Sequence, residues 1–154
     1  MEYERFFISN NMTAGLEEDI KYITTLEEFE EKYSQKLLND DAHIGNYLDV
    51  LLTKYGKKAY AVSEEACLAT SYVGHIINGK KRNPSRNALI SICLALGTDI
   101  EEVQRLLRYA GQAPLYVRRR RDVIIWFGFK KHMSLDEVDA NLGARGYTRL
   151  IKDP

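Results

Sequence analysis

The stretch that decides the fold runs from Ser63 to Ser85 and reads SEEACLATSYVGHIINGKKRNPS. Its apolar residues have the spacing of two short helices joined by a tight turn. Leu68 follows the turn, and Val73 and Ile76 stand three positions apart on one face of the second helix. Gly79 is expected to end that helix. A basic loop then follows, with Lys80, Lys81 and Arg82.

Helical patterns continue on both sides of this stretch. Together they predict five helices, over residues 44–55, 59–65, 70–78, 86–96 and 100–110. Thr70 or Ser71 can cap the third helix, and Ser85 and Asp99 can cap the fourth and fifth. Gly97 is expected to separate these last two.

The last third of the chain repeats the part before it at an offset of 35 residues. Residues 86–90 (RNALI) align with residues 121–125 (RDVII), and Asp99 aligns with Ser134. Each copy reads as helix, cap residue, helix and glycine stop, which is a hairpin of about 30 residues. Two such hairpins can stack and bury their apolar faces. Because no strand alternation is present, the predicted class is all-α.

The first part of the chain differs from the rest in charge. Residues 1–42 carry 4 Lys/Arg against 11 Asp/Glu, a net charge of −7. Residues 43–85 carry +3, residues 86–121 carry +4, and residues 122–154 are neutral, so the net charge of zero is an average. An acidic arm before a basic body is typical of a polyanion-binding protein. The alternative is that these charges belong to solvated helix faces.

The acidic arm has the pattern of one amphipathic helix. Thr25 and Glu28 fit a capping box. Apolar side chains then follow at helical spacing: Leu26, Phe29, Tyr33 and Leu37. This pattern predicts a helix of about 13 residues.

Composition and motifs exclude several classes of protein. No run of about 18 apolar residues predicts a membrane span, and the first residues lack the pattern of a secretory signal. Cys67 and Cys93 are too few for a disulfide framework, and we expect both to be small buried side chains. The histidines lack metal-ligand spacing, and no catalytic motif is recognisable. We therefore expect a cytoplasmic protein that is not an enzyme and needs no cofactor.

The five helices and residues 63–85 resemble the lambda-repressor-like helix-turn-helix family. The family pattern has two apolar positions three apart on the second helix of the motif, then glycine, a basic pair, proline and serine. The last four elements are here Gly79, Lys80–Arg82, Pro84 and Ser85.

Residues 44–150 also resemble a group of small bacterial transcriptional regulators with an extra C-terminal hairpin. Their patterns GKR-PSR and EE-Q-LL-YAG-APLY-R-RRD match from Gly79 to Arg86 and from Glu101 to Asp122. The resemblance implies a helix-turn-helix domain over residues 43–115, with a hairpin over residues 116–154 packed on it. It also implies a bacterial regulator that binds double-stranded DNA as a homodimer and is associated with the nucleoid when bound.

The resemblance further implies a set of DNA contacts. The helix over residues 70–78 lies in the major groove, and side chains at its beginning and on its outer face read bases: Thr70, Ser71, Tyr72 and His75. Side chains around it contact phosphates: Lys57, Lys58, Asn78, Lys80, Lys81, Arg82 and Arg86. Gly74 leaves room for the helix to approach DNA closely.

Four residues depart from the family pattern. Ala59 stands near the position of a phosphate-binding glutamine, and Cys67 takes the turn position where glycine is common. Cys67 strains the turn if its φ is positive. Glu64 and Glu65 would repel a phosphate backbone. These departures motivate an alternative function, a protein–protein interaction adaptor on a degenerate helix-turn-helix scaffold.

Other features have more than one interpretation. Tyr72 can pack in the core or stack on DNA. Arg118–Arg121 at a helix start needs an anionic partner. That partner can be DNA phosphates, Glu101 and Glu102, or the acidic arm, the carboxylates belonging to the same chain or to a second copy in a dimer. The acidic arm can also cover the basic face and compete with DNA. Aromatic side chains of the second hairpin are expected to pack within it and also suit self-association: Trp126, Phe127 and Phe129.

Overall fold

The computed structural model describes residues 15–33 and 43–152. Regular secondary structure in these ranges is helical throughout, so the expected all-α class is confirmed. Residues 15–20 are helical. Eight further helices follow: α1 Leu26–Tyr33, α2 His43–Tyr55, α3 Ala59–Glu65, α4 Tyr72–Ile77, α5 Arg86–Leu96, α6 Ile100–Tyr109, α7 Arg120–Lys130 and α8 Leu135–Ala144. No helix of the described residues is long and apolar enough to cross a membrane.

The chain divides into two compact units, residues 1–40 and residues 41–154. In the first unit, α1 starts where the capping pattern predicts, because the Thr25 hydroxyl accepts a hydrogen bond from the Glu28 amide at 3.2 Å. No α1 residue is buried. The expected continuation of this helix to Leu37 lies outside the described residues.

In the second unit, the five helices of the resemblance pack around one apolar core. Helix α4 contacts α2 and α3, and α5 contacts α2 and α3. The side chains that fill the centre are almost fully excluded from solvent: Leu48, Leu51, Val62, Val73, Ile76, Leu89 and Ile92. Gly45 permits the close crossing of α2 and α4, since a Cβ there would lie 2.9 Å from the carbonyl oxygens of Ile76 and Ile77.

The predicted helix ends around α5 and α6 are confirmed. Ser85 Oγ accepts a hydrogen bond from the Ala88 amide at 3.2 Å. Asp99 and Glu102 form a reciprocal capping box at the start of α6. Gly97 ends α5 with a φ of 80°, a left-handed conformation that suits glycine.

The internal repeat is present in the structure down to individual hydrogen bonds. Arg86 Nε donates to Ala113 O at 2.8 Å, and 35 positions later Arg121 Nε donates to Thr148 O at 2.9 Å. In the same way, the Leu115 amide donates to the side chain of Gln104, and the Leu150 amide to that of Asp139. His132, at the position of Gly97, also has a positive φ, 53°.

The two hairpins pack on each other through α6 with α7 and α5 with α8. One continuous hydrophobic cluster includes residues of both hairpins. Phe129 is buried and Trp126 packs against the core, as expected, whereas Phe127 is 46% exposed. The expectation that all three aromatic residues pack within the hairpin is therefore wrong for Phe127.

Candidate nucleic-acid interface

The turn between α3 and α4 is built around Cys67. Its φ is 59°, so a side chain occupies the left-handed conformation that glycine adopts most easily. The Cys67 amide donates to Glu64 O at 3.0 Å, and the Leu68 amide donates to Ser63 O at 2.9 Å, which closes α3. Cys67 is exposed, so the expectation of a buried side chain is wrong there, because the turn directs it to solvent. Cys93 is buried as expected, and burial raises the pKa of its thiol to about 12.

A buried hydroxyl fixes α4 against α3. Ser63 Oγ donates to Ala59 O at 2.9 Å and accepts a hydrogen bond from the Val73 amide at 3.0 Å. The amide of Val73, near the start of α4, therefore has a partner on the neighbouring helix. The sequence does not indicate this role of Ser63, since a serine between apolar and acidic residues gives no signal for a hydrogen bond to a residue ten positions away.

Helix α4 is shorter than predicted. It spans Tyr72–Ile77, because Thr70 and Ser71 form a turn that the Tyr72 amide closes on Ala69 O at 2.9 Å. Ser71 occupies the N-cap position with a φ of −89° and a ψ of 0°, and its side chain makes no capping hydrogen bond. The predicted cap by Thr70 or Ser71 is therefore wrong, since a cap side chain needs an extended backbone to reach back to the helix amides.

The two faces of α4 differ as the pattern predicts. Val73 and Ile76 are buried against the core. On the opposite side, a Cβ added to Gly74 would meet no atom within 4 Å. The predicted base-contacting residues lie around this open position, with Thr70 and Ser71 exposed and Tyr72 and His75 half-buried.

Tyr72 takes part in two contacts. Its ring packs against the hydrophobic core, and Lys81 Nζ lies 4.9 Å from the ring centroid. This distance is within the range of a cation–π interaction. The ring therefore connects the start of α4 to the basic loop that follows α4.

The basic loop is held at both of its ends. Gly79 has a φ of 83°, and the Lys81 amide donates to His75 O at 2.9 Å. Asn78 Oδ1 accepts a hydrogen bond from the Lys80 amide at 3.0 Å, which gives this predicted phosphate contact a role in shaping the loop. At the far end, Pro84 O accepts a hydrogen bond from Gln112 Nε2 at 3.2 Å. Lys80 and Arg82 are exposed along the loop.

Two of the predicted phosphate contacts have partners inside the protein. Lys57 Nζ donates to Ala95 O at 2.6 Å and pairs with Glu65 at 3.1 Å. Arg86 donates to both carboxylate oxygens of Asp122, at 3.0 and 3.2 Å, and its side chain is only 22% exposed. These bonds hold the two cationic groups in structural positions, whereas Lys58 is exposed at the start of α3.

The arginine run before and within α7 separates into two parts. Arg121 Nη2 donates to Asn87 Oδ1 at 3.0 Å, and burial together with nearby Arg86 lowers the pKa of Arg121. The carboxylates expected to pair with the run have other partners, since Glu101 pairs with Arg105 and Glu102 with Lys54. Residues 118–120 are exposed.

Comparison with known families supports the assignment of these helices. Residues 50–103, from within α2 to within α6, match the model of a family described as helix-turn-helix. No curated protein and no solved structure matches the chain. The matched stretch contains the whole of α3, α4 and the basic loop.

Proposed function

Because residues 50–103 form a helix-turn-helix domain of the lambda-repressor-like family, we propose that the protein is a sequence-specific transcriptional regulator that inserts α4 into the major groove of double-stranded DNA. The observation that carries this proposal is the open face of α4 beside an exposed basic loop. In this arrangement Gly74 has free space beside it, and Lys80 and Arg82 flank the helix.

The open face of α4 offers side chains suited to reading bases. Among the described residues, the side chains of Thr70, Ser71 and His75 make no hydrogen bond with another protein group. Hydroxyl and imidazole groups can donate to and accept from base edges in the major groove. We propose that these three read bases, and that Tyr72, whose ring also packs in the core, contributes its exposed edge.

Phosphate contacts are proposed for the cations that the fold leaves accessible. These are Lys58, Lys80, Lys81 and Arg82, with Asn78 shaping the loop. Such contacts set the register of the protein on the duplex without reading sequence. Lys57 and Arg86 are left out of this set because internal hydrogen bonds hold them.

We further propose that the regulator acts as a homodimer in the bacterial cytoplasm, with residues 43–115 as the DNA-binding part and residues 116–154 as a hairpin packed on it. A dimer would place two copies of α4 in successive major grooves, about 34 Å apart. Analytical ultracentrifugation with and without the selected duplex tests the dimer.

The test of DNA binding is selection of duplexes from a random library with the full chain, followed by affinity measurements over a range of salt concentrations. We expect an enriched sequence and a steep fall of affinity with salt, since each phosphate contact releases counterions. Replacing Lys80, Lys81 and Arg82 by alanine should weaken binding to all duplexes, whereas His75→Ala should change the preferred sequence. Folded protein that enriches no sequence, even at low salt, contradicts the proposal.

A protein–protein adaptor is the second candidate, and the charge around α3 favours it. Lys57 is engaged by Glu65 and Ala95 O, and Glu64 is exposed, so α3 offers a phosphate backbone little positive charge. The adaptor function is supported if the selection of random duplexes enriches no sequence and if Lys58→Glu leaves the regulatory activity of the protein in cells unchanged. A loss of duplex affinity in Lys58→Glu supports DNA binding instead.

A further inference from the structure

We propose that Arg118, Arg119, Arg120 and Arg145 form a second phosphate-binding surface, which extends the protein's contact with DNA beyond the helix-turn-helix motif. This inference rests on the proposed function and adds to it a contribution from the second hairpin. The ligand is the sugar–phosphate backbone that flanks the sequence read by α4.

The first observation is a group of cations without matching carboxylates. Residues 118–120 are exposed, and the ion pairs of the described residues include none of them. Asp122, the nearest carboxylate in the sequence, is 4% exposed and is bound by Arg86 and by the Tyr116 amide. The charge of the three arginines is therefore not balanced locally.

The second observation is a shared concave site. Arg118, Arg120 and Arg145 line a half-open cavity of about 280 Å³, together with residues that include Ile124 and Tyr147. Arg145 is positioned by neutral groups, since its Nη1 donates to Asn141 Oδ1 at 3.1 Å. Three arginines thus border one depression, together with apolar residues. Guanidinium groups match phosphate geometry with paired hydrogen bonds.

The third observation is the position of this site relative to the basic loop. The two Arg86–Asp122 bonds and the Arg121–Asn87 bond join the start of α7 to the start of α5. The basic loop leads directly into α5, and its Pro84 is held by Gln112, close to the segment that leads into α7. The basic segments that precede α5 and α7 therefore lie at the same end of the two hairpins.

The repeat explains why the second hairpin carries such a surface. Each hairpin begins with an inward-facing arginine, Arg86 or Arg121, that binds the carbonyl 27 residues later. In each, the residues before this arginine include exposed cations. Four cations at the start of a helix are unfavourable for the helix dipole. Phosphates of the DNA backbone would offset this unfavourable charge before Arg121, and they would also pair with the cations before Arg86.

The test compares the full chain with a variant carrying Arg118→Gln, Arg119→Gln and Arg120→Gln. The matched control is Lys130→Gln with Lys131→Gln, which removes exposed cations from the other end of α7. Affinity is measured against salt concentration on two duplexes, one limited to the selected site and one extended by about 10 base pairs on each side.

On the extended duplex, we expect the arginine variant to lose about 2–3 units from the slope of log affinity against log salt, since each phosphate contact contributes about 0.9. Its preferred sequence should stay that of the full chain. Its thermal stability should be at least that of the full chain, since the variant removes unfavourable charges from a helix start. The control should keep the original slope, and on the short duplex the difference between the variant and the full chain should shrink. Arg145→Gln should lose about one unit.

Two results overturn this inference and are distinguishable from failure of the proposed function. If the full chain binds and the basic-loop variant weakens binding, but the arginine variant keeps the original slope, only the second surface is excluded. An acidic peptide that binds the arginine cavity while duplex slopes stay unchanged identifies a protein partner there instead. If the full chain binds no duplex, both the proposed function and this inference fail.

Discussion

At the scale of single residues, two side chains in the helix-turn-helix turn act in opposite ways. Ser63 satisfies a buried amide of α4, which would otherwise lack a partner. Cys67 holds a left-handed backbone conformation with a φ of 59°, at a steric cost that glycine would not have. The angle between α3 and α4 therefore depends on a well-satisfied hydroxyl next to a strained turn.

Cys67→Gly should give a more stable protein than Cys67→Ala, by about 1 kcal/mol. Glycine removes the strain of the left-handed conformation, although it also gains freedom in the unfolded chain. Alanine keeps the strain and serves as the control for loss of the thiol. Urea unfolding of the two variants measures the difference, and equal midpoints would contradict the strain at this turn.

At the scale of helices, two glycines within helices have different roles. Gly45 in α2 lies against the carbonyl oxygens of Ile76 and Ile77, so its missing Cβ is required by helix packing. Gly74 in α4 has open space around it, so nothing within the described protein requires its missing Cβ. The proposed approach of α4 to DNA gives a reason for glycine at this position, since a side chain there would lie between α4 and the groove.

Gly74→Ala should stabilise the protein by up to about 1 kcal/mol through helix propensity, while it weakens DNA binding by crowding the groove. Gly45→Ala should instead destabilise it by about 1–3 kcal/mol, since backbone atoms must move. Thermal unfolding and duplex affinity of both variants check these expectations. A Gly74→Ala protein with unchanged affinity would show that the open face does not approach DNA.

The carboxylate of Glu102, near the start of α6, connects that helix to α2. Glu102 caps α6, pairs with Lys54 at 2.9 Å and accepts a hydrogen bond from the Tyr55 hydroxyl. Burial alone would raise the pKa of Glu102, but the bonds from Tyr55, Lys54 and the Asp99 amide outweigh it and hold this pKa below its usual value. The ionised form is therefore favoured by folding.

This shift predicts how stability depends on pH. A carboxyl whose pKa is lower in the folded state stabilises the protein above its unfolded pKa, about 4.5, and this contribution is lost as the pH falls through the folded pKa. Glu102→Gln should therefore be less stable than the original protein at neutral pH, and the gap should narrow in acid. Urea unfolding at a series of pH values measures the gap, and a constant gap would contradict the prediction.

At the scale of the whole molecule, the Arg86–Asp122 pair connects the two hairpins. Asp122 is almost completely buried, and the pair also orders the segment before α7 through the Tyr116 amide. Removing one partner of a buried pair leaves the other charge uncompensated. The second hairpin should therefore depend on this contact.

Asp122→Asn should destabilise the second unit by about 3 kcal/mol, because Arg86 keeps its charge but loses its carboxylate. Glu65→Gln is the control, since its pair with Lys57 is partly exposed and should contribute at most about 1 kcal/mol. Chemical unfolding compares the two variants. If both variants lose a similar free energy of unfolding, the Arg86–Asp122 pair stabilises the protein no more than the partly exposed Lys57–Glu65 pair does.

Much of the fold could be predicted because its signals are local. The apolar spacing that buries Val73 and Ile76 and the caps at Ser85 and Asp99 depend on neighbours within one or two turns of helix. The 35-residue repeat is visible because the same local pattern occurs twice. The candidate interface could be predicted less fully. Lys57 and Arg86 are predicted as phosphate contacts from the sequence, because the sequence does not show which groups of the folded protein bind them.

The sequence by itself determined the all-α class, the helix-turn-helix segment and the duplicated hairpin, since helix period and capping are properties of short segments. Only the tertiary structure decided which polar groups are used internally. Ser63 reaches Val73, and Arg86 reaches Asp122 across 36 positions, because helix packing brings them together. The same packing leaves Arg118–Arg120 exposed. Hydrogen bonds between distant residues depend on how the helices are stacked and not on the spacing of residues along the chain.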